Sequence, residues 1–295
     1  MASAELRLIR RRIRSVKSTM KITRAMELIA ASRIVKAQQR VAAAQPYTDK
    51  MNEVIRNVAA ASGGASHALL DAREIETAGV LAVTSDRGLA GAYNSSILRL
   101  AETRLIELKN AGIDTRVYAV GKKARAYFDF RGYRIEQAFL GVTDTPGYGD
   151  ARAIANVLMN DYAEGKVDSI EVFTTRYVSA LTQTPMQWKL LPIEPPAAAE
   201  EADESAAPVG YTYEPNAADI LSRLLPRYVE ATAFGILLDA SASEHAARRR
   251  AMKAATENAE ELVRILSREA NQARQAEITT EISEIVGGAE ALTNG

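Results

Sequence analysis

The chain has no cysteine. That removes disulfides, thiolate metal sites, iron–sulfur clusters and a cysteine nucleophile together. Histidine occurs only at His67 and His245, too few for a multi-histidine metal site. Tryptophan occurs once, at Trp188, and no aromatic residue precedes Tyr47. Charge of one sign is missing too: 37 Lys and Arg balance 37 Asp and Glu. A basic field over the whole molecule, of the kind that holds nucleic acid, is therefore excluded. No apolar run reaches the ~18 residues of a membrane-spanning helix, so neither a transmembrane segment nor a signal peptide is expected. Neither GxGxxG nor GxxxxGK[ST] occurs, so the usual phosphate-cradling loops are absent.

Proline is missing from both ends. All nine prolines lie between Pro46 and Pro226, and two stretches free of helix breakers enclose a punctuated middle. Leu6, Ile9, Ile13, Val16 and Met20 recur at spacings of three and four, a heptad seam. The seam is expected to drift on through Ile22, Met26, Ile29 and Ile34. Pro46 is expected to open a second helical piece, which Ser62-Gly63-Gly64 would end. After Pro226 a second long helix is expected to about Val286. Its seam would pass through Met252, Ala255, Ala259, Leu262 and Leu266, and then Ile278, Ile282 and Ile285, with Gly287-Gly288 as its stop. Helices several times the mean length of ~11–12 residues need equally long partners. Each end is the other's only candidate, so an antiparallel coiled coil of the two termini is expected.

The middle alternates strand and helix. Strands are expected at 79–84, 116–120, 133–139, 169–178 and 186–193, with helices at 95–109, 122–130 and 150–163. This is the pattern of an α/β, doubly wound, Rossmann-like sheet with one antiparallel edge. The segment 194–210 holds five acids and three prolines and reads as a solvated, mobile loop. The division expected is 1–62 for the N-terminal helix, 63–215 for the central domain, 216–288 for the C-terminal helix and 289–295 for a tail.

Few residues suggest chemistry. The turn Ser85-Asp86-Arg87-Gly88-Leu89-Ala90-Gly91 sits where such sheets hold phosphates, but its glycines suit a tight turn with Asp86 and Arg87 as braces. His67 lies in a small-residue linker and His245 on a helix, and both read as solvated or helix-face residues without a triad around them. Trp188 reads as packing. The strongest asymmetry is electrostatic: the first forty residues hold eleven basic side chains against Glu5 and Glu27, a charge of +9. Such a helix suits phosphates, an anionic membrane or an acidic protein surface. Arg248-Arg249-Arg250 adds a second positive cluster.

Several segments together resemble one family. Residues 13–32 (IRSVKSTMKITRAMELIAAS) resemble the opening of the gamma subunit of F-type ATP synthases. Residues 84–91 (TSDRGLAG), the stretch around Ser243-Glu244-His245 and Arg250-Ala251-Met252, residues 271–275 (NQARQ) and residues 278–288 (ITTEISEIVGG) resemble its central-domain and C-terminal motifs. Ala90 stands where members often carry cysteine, and the chain lacks the dicysteine insert of chloroplast members. The resemblance implies a non-catalytic rotor shaft with no cofactor or metal. It would turn inside three alpha and three beta subunits, one copy per complex, above an epsilon subunit and a membrane ring of c subunits. It would be peripheral, on the cytoplasmic side of the cell membrane, with no nucleic acid as partner. By resemblance Met26, Arg248, Gln275, Thr279 and Glu281 would catch against beta, and Tyr213 and Glu214 would form the foot on the c ring. Two other classes stay open: a nucleic-acid-binding scaffold using the basic helix, and a nucleotide-dependent enzyme using the α/β domain.

Overall fold

The structure, a computed structural model, describes residues 4–61, 67–194, 214 and 216–293. Helix α1 (Ala4–Ala61) opens the chain. Strand β1 (Thr77–Val83), helix α2 (Tyr93–Asn110), β2 (Asp114–Val120), α3 (Lys122–Phe130), β3 (Ile135–Phe139), α4 (Tyr148–Ala163), β4 (Ser169–Tyr177) and β5 (Gln183–Leu191) follow, and α5 (Ala217–Thr293) ends it. By density of internal contacts the chain forms two units: residues 1–30 with 248–295, and residues 31–247. Both long helices contribute to each unit.

In the larger unit the sheet order is β3-β2-β1-β4-β5. Strand β1 pairs in parallel with β2 and β4, β2 pairs in parallel with β3, and β5 returns antiparallel to β4. The order reverses beside β1, as in doubly wound folds. Strand β1 is buried along almost its whole length, because both sheet faces are covered. On one face Val80, Ala82 and Phe173 meet Ile97, Leu105 and Phe128 of α2 and α3. On the other Leu81, Tyr118 and Val172 meet Ile154 and Leu158 of α4 and Leu225 and Leu237 of α5. This C-terminal helix therefore serves as a sheet-covering helix over its first turns. Such two-sided burial explains why these strands read as continuous apolar runs rather than alternating ones.

In the smaller unit α1 and α5 pair across a narrow seam. Leu6, Thr23 and Ala30 are buried on α1, and Met252, Thr256, Ala259, Leu266 and Ala270 on α5. The Thr23 and Thr256 hydroxyls hydrogen-bond to each other at 2.8 Å. The α5 seam fades after Glu277, beyond which every side chain described is exposed. Antiparallel pairing accounts for that limit. Nineteen residues separate Ala4 from Thr23, and nineteen separate Thr256 from Gln275, so α1 runs out level with Gln275.

Several expectations need correction. Pro46 does not start a new helix, and α5 begins before Pro226 rather than after it; each proline lies inside its helix. The carbonyls that a proline frees sit four residues earlier, on Ala42 and Ser222, which are exposed and open to water. Gly287-Gly288 does not stop α5, which continues to Thr293. Ile22 and Ile29 are not in the seam: they are 58% and 55% exposed, and the buried positions are Thr23 and Ala30. On α5 Leu262 lies outside and Val263 turns inward. The glycine argument for the 85–91 turn holds only in part, because positive φ falls at Leu89 and Gly91. Residues 195–210 of the acidic segment lie outside the described residues.

Candidate partner-binding face

Within the smaller unit the basic side chains point away from the seam. Arg7, Arg10, Arg11, Arg12, Arg14, Lys17 and Lys21 are all exposed. Exposed apolar residues lie among them. Ile22 and Ile29, seven apart, share one face of α1, and Leu28 and Val35 share the next. On α5 Ile278, Ile282 and Ile285 recur at spacings of four and three and are exposed, Ile285 to 72%. They belong to the 18-residue end, 276–293, that extends past the start of α1 for about 27 Å. Apolar stripes of this size on a folded surface mark contact with another macromolecule.

The residues expected to catch beta fall in two groups. Met26 is half-buried and lies within a few residues of the level of Arg248, which is 7% exposed. Gln275, Thr279 and Glu281 are exposed. They follow Arg248 by 27 residues or more, roughly 40 Å along the helix, so they form a separate group. The Thr279 hydroxyl donates to the Gln275 carbonyl at 2.9 Å, and Ser283 to the Thr279 carbonyl at 2.9 Å. These bonds hold the hydroxyls against their own helix. Of the expected foot, Glu214 is exposed and Tyr213 lies outside the described residues.

In the larger unit the 85–91 turn is an internally braced corner. Asp86 accepts from the Thr143 hydroxyl and from the Lys122 amide, both at 3.1 Å. The Ser85 amide donates to Asn94 Oδ1 at 2.9 Å, and Ala124 N donates to the Thr84 hydroxyl at 2.8 Å. Gly121 holds φ +89, and a Cβ there would lie 2.5 Å from the Thr84 carbonyl. The Ser85, Asp86, Lys122 and Ala124 amides are thus spent on side chains of the domain itself. The Arg87 side chain is 65% exposed and pairs with Asp144 at 4.0 Å.

His245 is a second correction, for it is buried rather than solvated. Its Nε2 lies 3.2 Å from the Asp144 carbonyl and 3.8 Å from Asp144 Oδ1. Arg33 of α1 pairs with the same carboxylate, and the Ser241 hydroxyl donates to the Asp144 carbonyl at 3.2 Å. One loop residue thereby ties α1 and α5 to the sheet. Asp144, Glu244 and His245 bring oxygen and nitrogen atoms within 4.8 Å of one another, a set that metal ions accept. The Arg33 guanidinium already neutralises the carboxylate, so a cation there would have to displace it. Asp144 is the residue sequence reasoning missed. It sits in a Thr-Asp-Thr-Pro turn about a hundred residues from its partners, and nothing local signals it.

Comparison with known proteins decides the family. The family model described as ATP synthase matches residues 5–292. The ATP synthase gamma chain of Acidothermus cellulolyticus is 52% identical over 98% of this chain and 97% of its own. That of Streptomyces coelicolor is 48% identical over 99% and 97%. The chain belongs to the ATP synthase gamma chain family. Among solved structures, a chain of the Euglena gracilis mitochondrial ATP synthase in the OSCP/F1/c-ring assembly has the same fold. Its TM-score is 0.66 at 17% identity, over 98% of this chain and 94% of that one. A central-stalk chain from Tetrahymena thermophila gives 0.60 at 20% identity, over 79% and 99%. Members of the family are stalk subunits without catalytic sites of their own. No helix among the described residues is long and apolar enough to cross a membrane.

Proposed function

We propose that the chain is the central rotor shaft of an F-type ATP synthase, carrying torque between a membrane ring of c subunits and a catalytic head. The smaller unit turns within three alpha and three beta subunits. The larger unit meets epsilon and the c ring. The complex sits on the cytoplasmic face of the cell membrane, and this chain is its single asymmetric member. The observation that carries the reading is the row of exposed Ile278, Ile282 and Ile285 near the end of α5, in a chain that opens with a strongly basic α1. An apolar tip suits a surrounding collar, and charged flanks keep lateral adhesion weak at most angles.

The functional parts divide accordingly: residues 1–62 and 216–288 as shaft, 63–215, which include the acidic segment 194–210, as the base, and 289–295 as tail. Met26 and Arg248 form one latch against beta; Gln275, Thr279 and Glu281 form another nearer the tip. Tyr213 and Glu214 face the c ring. Each charge-assisted bond in such a latch is worth ~1.5–3 kcal/mol, and it must break at every step, so a shaft can hold only a few. The test is co-expression with alpha, beta and epsilon. The chain should purify once per three alpha and three beta, and the complex should couple ATP hydrolysis to proton pumping when joined to its membrane sector. Failure to enter the head, or hydrolysis and pumping untouched when the chain is left out, would overturn the reading.

A further inference from the structure

Inside the larger unit, α1, α5 and the β4–β5 hairpin enclose an open cavity of about 510 Å³. That lies within the ~300–1,000 Å³ of small-molecule sites. Its origin is a local failure of the helix pair to close. Ala44 of α1 and Ala231 and Gly235 of α5 line it, and a Cβ built on Gly235 would meet nothing within 4 Å. Trp188, Met186 and Tyr228 give it broad apolar walls.

The polar groups in it are unevenly satisfied. Two guanidiniums, Arg56 of α1 and Arg176 of β4, reach it. Arg56 Nε is buried and makes no hydrogen bond among the described residues, and the same is true of the Thr174 hydroxyl, on a residue 3% exposed. Two carboxylates also line it. Glu194 is taken by Lys189 Nζ at 2.5 Å. Asp239, near Arg176, sits in a desolvated position that favours its neutral form. A buried N–H without an acceptor is costly.

We propose that this cavity is a binding site for a small organic anion with an aromatic body. The ring would stack against Trp188 and Tyr228. Its carboxylate, sulfonate or phosphate would pair with the guanidiniums of Arg56 and Arg176, which line the cavity. A fully apolar ligand would leave both guanidiniums unanswered. None of the residues that line the site is one assigned to a latch or to the foot, so its occupancy is independent of the rotor reading.

Trp188 is the only tryptophan in the chain, and it stands in the wall of this cavity. The experiment titrates the full-length chain with 8-anilinonaphthalene-1-sulfonate, exciting tryptophan and reading the dye emission that energy transfer from Trp188 produces. A saturable one-site signal is expected. Gly235→Leu fills the cavity with a good helix former and should weaken binding by at least about tenfold, a loss of ~1.4 kcal/mol, without lowering the melting temperature. Arg56→Gln keeps the side-chain bulk and should weaken it by about threefold to tenfold; it decides the matter if Gly235→Leu melts early. No saturable transfer in the parent chain, or equal affinity in parent and Arg56→Gln, would overturn the proposal.

Discussion

The bond between Thr23 and Thr256 shows how single residues set the register of a long helix pair. Each hydroxyl also faces a carbonyl of its own helix, Met20 and Met252 at 3.1 and 2.9 Å. A buried polar pair of this kind makes one alignment better than its neighbours one turn away. Thr23→Val should cost about 1 kcal/mol, read as a lowered melting temperature. The double change Thr23→Val with Thr256→Val should restore most of that loss, since it leaves no hydroxyl without its inter-helix partner. The two latch groups should separate in the same way. Arg248 is buried, so Arg248→Ala should cost about 1–3 kcal/mol as well as weaken coupling. Gln275 is exposed, so Gln275→Ala should stay within about 0.5 kcal/mol while reducing proton pumping per ATP in the assembled complex.

Asp239 gives a residue-scale prediction in pH. Burial lifts its pKa from 3.8 to about 6, against the opposing pull of Arg176. The folded chain therefore holds this proton more tightly than the unfolded chain does. Below pH ~4 both states are protonated and the group is neutral for stability. As pH rises toward 6 the unfolded state ionises first and stability falls, and above about 6 the loss is complete. Partial exposure reduces its size to ~1–2 kcal/mol. Asp239→Asn should accordingly raise the melting temperature at pH 7.5 and leave it nearly unchanged at pH 4.

At the scale of elements, legibility followed locality. The central strands and helices were readable because each carries its own signal, such as the apolar run at Val80–Val83 or the spacing of Ile154, Val157 and Leu158. The antiparallel edge was readable because no helical stretch separates β4 from β5. The long helices were readable as helices but not in their limits. Pro46, Pro226 and Gly287-Gly288 all carry stop signals of a few kcal/mol at most, and helical neighbours on both sides override them. The seam was legible from Leu6 to Met20 and again at Met26 and Ile34, but misleading at Ile22 and Ile29. There Ile22 and Ile29 face outward, while Thr23 and Ala30 allow the helices to approach closely. Isoleucine on the outside and threonine inside is the reverse of the usual burial preference. The tie made by Asp144 was illegible, because only the fold brings residues 33, 144 and 245 together. Deleting residues 278–293 should leave the melting temperature of the isolated chain unchanged, since every side chain described from Ile278 to Ala289 is exposed, yet weaken its retention by the alpha and beta subunits. A clear loss of thermal stability would show that the tip is packed in solution.

At the scale of the whole molecule the charge balance is deceptive. A chain of zero net charge carries +9 in its first forty residues, and the acids lie elsewhere. Entry of the basic helix into the catalytic head should therefore be salt-sensitive: assembly rates should fall severalfold between low and physiological ionic strength. A rate independent of salt would place the contact on the apolar stripes alone.

The central claim is that the paired ends of α1 and α5 turn as one shaft. Single-molecule rotation tests it most directly. A bead is attached through a cysteine introduced on the larger unit, at exposed Lys109, with alpha and beta fixed to the surface and ATP supplied. Unidirectional rotation with three dwells per turn is the predicted result. A complex that holds this chain and hydrolyses ATP at full rate while the bead stays still would contradict it.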